Sequence, residues 1–213
     1  MKKIADIRKE YTLKELSIEM VAPNPFAQFE SWFNEVLAAE VLEPNAVFLA
    51  TASKAGIPSG RVVLLKGIEK NQLVFFTNYE SQKGKELAEN PVASLTFFWA
   101  ELERQVRVVG EVKRMDESYS TNYFHSRPFE SQLGAWASQQ SSKIASRTII
   151  EQNFESLKEK YQGKEIPKPA FWGGYGLQPH IFEFWQGRAS RLHDRIFYEK
   201  SDKNNWVISR LAP

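Results

Sequence analysis

The sequence predicts an α+β fold, mainly β, in which antiparallel strands curl into a small barrel flanked by helices. Two features point there. Five runs rich in β-branched and aromatic residues fall within about seventy residues, divided by short turn signals, a density that suits a barrel better than an open parallel sheet. Helical periodicity is concentrated before these runs and in a block after them.

In chain order, Thr12-Leu13-Lys14-Glu15 has the capping-box pattern and is expected to open a short helix. Asn24 is a good N-cap with Pro25 at the first helical position. Phe26, Phe29, Phe33, Val36 and Leu37 then recur at helical spacing and form one apolar stripe for the core. Strands are expected at 47–53, 60–67 and 73–78, separated by Lys54-Ala55-Gly56 and Glu69-Lys70-Asn71. A short helix at 81–89 stops at Asn90-Pro91, and strands resume at 92–99 and 104–114.

The middle of the chain reads as helical. A helix at 116–126 breaks at Arg127-Pro128, and a second runs through 132–137. Ser141 or Ser142 is expected to cap a long helix lined on one face by Ile150, Phe154, Leu157 and Tyr161. Residues 163–169 form a turn-rich linker, and Gly173-Gly174-Tyr175-Gly176 reads as a turn beyond it. Three last strands are expected at 181–185, 191–198 and 206–210.

Composition narrows the class. Hydrophobic residues make up 42% and charged residues 25% of 213, as in an ordinary globular chain. The net charge of +2 is too small to imply nucleic-acid binding, so anion binding must come from local clusters. The absence of cysteine removes disulfides, thiolate catalysis and zinc–thiolate sites, and fits a reducing cytosol. The first ten residues lack the apolar run of a signal peptide, and no stretch is apolar for the eighteen or so residues a membrane span needs. A soluble protein is expected. There is no Gly-x-Gly-x-x-Gly after a strand, no Walker loop and no Gly-x-Ser-x-Gly elbow, and His125, His180 and His193 lack metal-ligand spacing.

Several clusters carry possible chemistry, each beside a plainer reading. If Arg191-Leu192-His193-Asp194-Arg195 is a strand, Arg191, His193 and Arg195 share a face suited to an anion or an electron-rich ring. A solvated edge strand shows the same pattern. Arg61-Val62-Val63-Leu64-Leu65-Lys66 has a cation at each end. Alternation puts these on opposite faces, so they share a cavity only if the strand bulges or curls. Tyr123 and Arg127 can share a helix face, and Ser131 falls near the first turn of the next helix, where free N–H groups favour phosphate. Packing, solvation and capping would explain the same three residues. Gln140-Ser141 with Lys83 forms a second possible anion site, or Ser141 is simply a helix cap. Together these clusters suggest two phosphate pockets beside an aromatic-rich barrel.

Along essentially its whole length the chain resembles the pyridoxine/pyridoxamine 5′-phosphate oxidase family. The resemblance rests on Ile7-Arg8-Lys9-Glu10-Tyr11, Arg61 to Lys66, Glu103-Arg104-Gln105-Val106 and Tyr123-Phe124-His125-Ser126-Arg127-Pro128. Further matches, in order, are Gln140-Ser141-Ser142, Phe171-Trp172-Gly173-Gly174, Phe184-Trp185-Gln186-Gly187, Arg191 to Arg195 and the terminal Arg210-Leu211-Ala212-Pro213. It implies an FMN-binding split β-barrel acting as a homodimer, with each active site built from both subunits. It also implies a helical segment and substrate lid at 1–45, the barrel with a helical insert at 46–162, and a C-terminal strand region at 163–213.

By the same resemblance FMN is lined by Arg61, Val62, Val63, Leu64, Leu65, Lys66, Phe76, Thr77, Gln82, Lys83, Gln105, Gln140, Ser141, Trp185 and Arg195. The substrate phosphate falls to Lys66, Tyr123, Arg127 and Ser131. Arg191, Leu192 and His193 meet the pyridine end, with Arg191 and His193 in the catalytic roles, and Arg8, Lys9, Glu10 and Tyr11 close over it. Gln82 stands where the family often has a basic residue, which implies weaker FMN binding. The implied activity is hydride transfer from a phosphorylated B6 vitamer to FMN, with O2 as acceptor, in the cytoplasm, without metal, nucleic acid or membrane. The rivals are a phenazine-type oxidase of the same build and a non-catalytic FMN or pyridoxal-phosphate carrier.

Overall fold

A computed structural model describes residues 3–7 and 9–213. Among these are nine strands and five α-helices. The strands are β1 Ala46–Ala52, β2 Pro58–Leu64, β3 Gly67–Glu69, β4 Gln72–Asn78, β5 Val92–Trp99, β6 Arg104–Arg114, β7 Trp172–Gln186, β8 Asp194–Lys200 and β9 Trp206–Arg210. The helices are α1 Pro25–Ala38, α2 Gln82–Glu89, α3 Glu117–Ser126, α4 Phe129–Ala137 and α5 Arg147–Tyr161. Strand order is β2-β1-β5-β6-β7-β4-β3, with β8 beside β7 and β9 beside β8. Within the described residues no helix is long and apolar enough to cross a membrane. The chain forms two compact units, one of residues 1–49, 94–110 and 179–213, the other of residues 50–93 and 111–178.

The first unit is built on α1. The Asn24 side chain accepts the Phe26 N–H at 2.9 Å, and Pro25 occupies the first turn, where its missing N–H costs nothing. The buried stripe is Phe26, Phe29, Trp32 and Val36. Leu37, expected inside, is 51% exposed, because the stripe rotates to seat Trp32. Phe26 meets Phe182 edge-on at 5.2 Å, and Trp32 meets Phe184 at 5.3 Å. Burying each such ring contributes roughly 2–3 kcal/mol, so α1 is held by its β7 partners. β7, β8 and β9 pair antiparallel, with Trp185 opposite Arg195 and Phe197 opposite Ser209.

The second unit centres on β4, whose Leu73, Val74 and Phe75 are wholly buried. β4 pairs antiparallel with β3 and with the first half of β7, placing Phe76 opposite Gly174 and Thr77 opposite Gly173. Gly173 to Gly176 are therefore strand rather than turn. Side chains there would meet Tyr79, Met115 and Gln72, so the glycines make room for neighbours. Phe124, Leu133, Ile166 and Trp172 form a local core against which α5 lays Phe154, Leu157 and Tyr161.

Three other expectations are corrected. No helix opens at Thr12; a 3-10 turn occurs later, at Ile18–Met20. The long helix starts at Arg147 with Ser146 as its N-cap, so Gln140 and Ser141 lie in the preceding loop. Arg191 is not in a strand: Ala189–Arg191 is a 3-10 turn and β8 begins at Asp194.

Candidate functional site

The second unit holds a cavity of about 510 Å3 assembled from segments far apart in the chain. The end of β2 supplies Val62, Val63 and Leu64, and Lys66 follows where the chain leaves that strand, its N–H on the Val74 carbonyl at 2.8 Å. β4 supplies Phe76 and Thr77, α2 supplies Lys83, α3 supplies Tyr123, and Arg127 and Ser131 flank the Pro128 break. Proline ends α3 and lets α4 start anew, so Ser131 sits in the first turn of α4 as expected. Lys66, Tyr123, Arg127 and Ser131 thus share one cavity.

Its floor is aromatic. Phe76 and Tyr123 stack at 3.8 Å and 16°, and Phe76 and Trp172 at 5.4 Å and 15°. The Arg127 guanidinium lies 4.7 Å from the Trp172 ring centroid. Its Nη1 is buried with no hydrogen-bond partner. A buried guanidinium nitrogen left unmet costs free energy that a phosphate oxygen would recover. Burial, opposed by the Arg127 charge, raises the Tyr123 hydroxyl above its ordinary value, so it stays a donor.

At one end of the cavity Lys83 donates to Gln140 Oε1 at 3.0 Å and Thr77 Oγ1 at 3.1 Å. Burial first, and then the Arg61 charge, lower its pKa to about 8, against a weaker pull from Glu86. Lys83 stands on α2 because Ser81 caps that helix, accepting from the Gly84 N–H at 3.3 Å. A side chain at position 84 would collide with the Tyr79 carbonyl, so α2 can enter at this angle only with glycine there. Gln82 and Ser141 line an adjoining cavity of about 400 Å3. Ser141 has φ of 71°.

Arg61 behaves differently. Its guanidinium donates to Thr51 Oγ1 at 2.5 Å and Ser59 Oγ at 2.6 Å, and pairs with Glu86 at 3.4 Å. Glu86 also accepts from Gln82 at 3.0 Å. The structure therefore does not bring Arg61 and Lys66 into one cavity, as strand alternation anticipates. Leu65 is buried. Glu86 went unnoticed in the sequence; its signal is the i,i+4 spacing from Gln82.

The first unit holds the remaining candidates. A cavity of about 510 Å3 is lined by Lys9, Glu10, Tyr11, Arg188, Arg191 and His193 among others. Another, of about 260 Å3, is lined by Gln105, Arg107, Glu183, Trp185, His193 and Arg195 among others. His193 is a wall of both. Arg8 lies outside the described residues, and Leu192 is 69% exposed and lines neither cavity.

Ser190 and Arg191 both have left-handed backbones, at φ of 56° and 62°. For residues other than glycine each costs ~1 kcal/mol, strain of the kind found at functional turns. His193 Nδ1 accepts the Arg188 N–H at 3.1 Å, which leaves the ring proton on Nε2. Burial and then the Arg191 charge lower its pKa, favouring the neutral ring. Arg195 donates to Glu183 at 2.7 Å, and Arg107 binds the other oxygen of that carboxylate. Burial raises the Glu183 pKa, but these two arginines outweigh it and the net shift is downward. Glu183 was also missed, although a lone acid among Phe182, Phe184 and Trp185 signals a buried charge that needs partners.

Residues 33–161 match the family described as Pyridoxamine 5′-phosphate oxidase, and residues 172–213 match the Pyridoxine 5′-phosphate oxidase C-terminal dimerisation region. Pyridoxine/pyridoxamine 5′-phosphate oxidase of Nostoc sp. is 55% identical over 99% of this chain and 98% of its own. The protein of that name from Leptospira interrogans is 52% identical over 99% of both chains. Among solved structures, PhzG from Burkholderia lata in complex with tetrahydrophenazine-1-carboxylic acid superposes with a TM-score of 0.88 at 30% identity, covering 95% of this chain and all of that one. A pyridoxamine 5′-phosphate oxidase-related, FMN binding protein from Nostoc punctiforme has a TM-score of 0.69 at 18% identity, covering 91% of this chain and 99% of its own. These neighbours share the split-barrel fold.

Proposed function

Because the chain belongs to the pyridoxamine 5′-phosphate oxidase family, we propose that it binds flavin as FMN and oxidises pyridoxine and pyridoxamine 5′-phosphates to pyridoxal 5′-phosphate. One observation carries the substrate class. Lys66 and Arg127 have no carboxylate partner among the described residues, and a buried Arg127 nitrogen lacks any partner, in the cavity that also holds Tyr123 and Ser131. Such a donor set fits a phosphate dianion.

The residues present also fit a second phosphate. Lys83, Thr77 and Gln140 are already joined by hydrogen bonds, and Gln82 and Ser141 line the cavity beside them. These would hold the FMN phosphate, joined by Arg61 when it exchanges Glu86 for the phosphate, while Val62 to Lys66 and Phe76 flank the remainder. Gln105, Trp185 and Arg195 complete the set across a homodimer, an arrangement supported by the match to a dimerisation region. When bound, FMN supplies a hydride acceptor and a route for the electrons to O2, with hydrogen peroxide as the by-product.

The chain's own residues then bind and orient. Arg127 and Lys66 grip the phosphate, so remote binding energy fixes the ring to be oxidised. Neutral His193 presents its Nε2 proton and Arg191 its guanidinium to the pyridine end, where they align and polarise rather than abstract a proton. Residues Lys9 to Tyr11 cover that end against water. A cytoplasmic setting suits this cysteine-free chain.

Tetrahydrophenazine-1-carboxylic acid in the Burkholderia relative makes an aromatic acid the second reading. The cavity's cations favour phosphate over a single carboxylate. Purified protein given FMN should turn yellow and convert pyridoxamine 5′-phosphate in air to pyridoxal 5′-phosphate and peroxide. Binding without conversion would leave a carrier. Equal turnover of the phosphate-free amine would remove the assigned role of Arg127 and Lys66.

A further inference from the structure

Glu103 is 2% exposed and sits between β5 and β6 with φ of 55° and ψ of 40°. A left-handed glutamate is an expensive choice where glycine would fit freely. Its carboxylate shows what the position gains. Oε2 accepts the Thr12 N–H at 2.9 Å and the Leu13 N–H at 3.2 Å, and Oε1 pairs with Lys9 at 3.3 Å. Its carbonyl accepts the Gly187 N–H at 2.7 Å and Gln186 Nε2 at 3.2 Å. One residue therefore fastens the N-terminal strap to the start of the loop that leads to Arg191 and His193.

Tyr11 lies inside that fastening. A Cβ at position 187 would come within 2.7 Å of Tyr11 Cγ, 2.8 Å of its Cβ and 3.1 Å of Glu103 Cβ, so glycine leaves the berth into which the tyrosine fits. The Tyr11 ring stands edge-on to Trp185 at 5.7 Å and to His193 at 5.8 Å. Downstream the strap is pinned again, the Leu16 N–H donating to Asp194 at 3.0 Å.

We propose that Glu103 is a positioning residue: by holding the Thr12 and Leu13 amides, it sets Tyr11 as a fixed wall of the His193 cavity, and so governs substrate affinity without touching substrate. This rests on the functional reading above. In the flavin-loaded protein, Glu103→Ala raises KM for pyridoxamine 5′-phosphate roughly tenfold with kcat within about twofold and flavin content unchanged. Trypsin cleavage after Lys9 or Lys14 speeds up several-fold. Tyr11→Ala raises KM similarly, and adding Glu103→Ala to it changes KM no further, as for two residues acting through one element. Glu103→Gln, whose amide oxygen still accepts both N–H groups, keeps most of the original KM.

Unchanged KM and cleavage in Glu103→Ala would overturn the proposal, as would effects of Glu103→Ala and Tyr11→Ala that multiply in the double variant. If Glu103→Ala does not fold, Gly187→Ala tests the same berth; raised KM and faster cleavage support the proposal, and parental values overturn it. A parent protein that turns over neither B6 phosphate overturns the functional reading alone, since the cleavage rates still decide whether Glu103 holds the strap.

Discussion

The cavity of the second unit and the ion pairs of the first use arginine and lysine in opposite ways. In the cavity of the second unit, Lys66, Lys83 and Arg127 face neutral partners or none, with no carboxylate paired to them among the described residues. In the first unit Arg107 and Arg195 share Glu183, Arg188 and Arg210 share Asp194, and Lys9 meets Glu103. Charge left unbalanced inside a protein awaits an anion, whereas charge already neutralised holds geometry. Arg191 departs from its own unit's pattern, having no carboxylate partner among the described residues, and it lines a cavity.

The contrast breaks most directly at Arg127. Arg127→Ala should lower kcat/KM for pyridoxamine 5′-phosphate by about 10^2–10^3-fold, the range for removing one side of a desolvated charge pair, with little change in unfolding free energy. Steady-state kinetics beside a urea titration reads both. Glu183→Gln should do the reverse. Leaving Arg107 and Arg195 to face each other costs ~2 kcal/mol of stability in denaturant, while phosphate affinity holds. The folded Glu183 pKa is lowered, so its contribution is present above the ordinary carboxylate value and is lost as pH falls through the lowered one.

Lys83 sharpens the contrast through pH. Its pKa is about 8 in the fold and 10.5 ordinarily, so unfolding takes up a proton between those values. The flavin-free protein should therefore gain stability from this group as pH rises across that window. FMN affinity should move oppositely, falling toward tenfold per pH unit above about 8 as the cation is lost. Fluorescence titration of FMN checks it, and Lys83→Met should flatten the slope. The smallest effect is expected from Gln82→Arg, which should tighten FMN only a few-fold, since Gln82 is tied to Glu86 and a cation there would compete for that carboxylate. Unchanged affinity would remove the weakening assigned to Gln82.

Much of the fold was legible. Alternation and aromatic density located β4, β5, β6 and β9, and the Asn24-Pro25 cap located α1. Misreadings arose where distant groups overrode local grammar. The capping box at Thr12 makes no helix, because the Thr12 and Leu13 amides go to Glu103 and the Leu16 amide to Asp194. The glycines at 173–176 mark tight packing in β7, not a turn. Alternation across Arg191 to Arg195 fails because left-handed Ser190 and Arg191 turn the chain just before β8. Acids such as Glu86, Glu103 and Glu183 gave only weak local signals, because most of their partners lie far along the chain.

Residue type and spacing by themselves determined the chemistry available to this protein: cations and hydroxyls at the Pro128 break, a lysine on a serine-capped helix, and aromatics in strands. Those follow from short-range rules of capping, periodicity and charge. Only the tertiary structure decided which cations stay unpaired, because neutralisation depends on carboxylates brought within a few ångströms by packing. That selection separates a group that waits for phosphate from one that holds the fold.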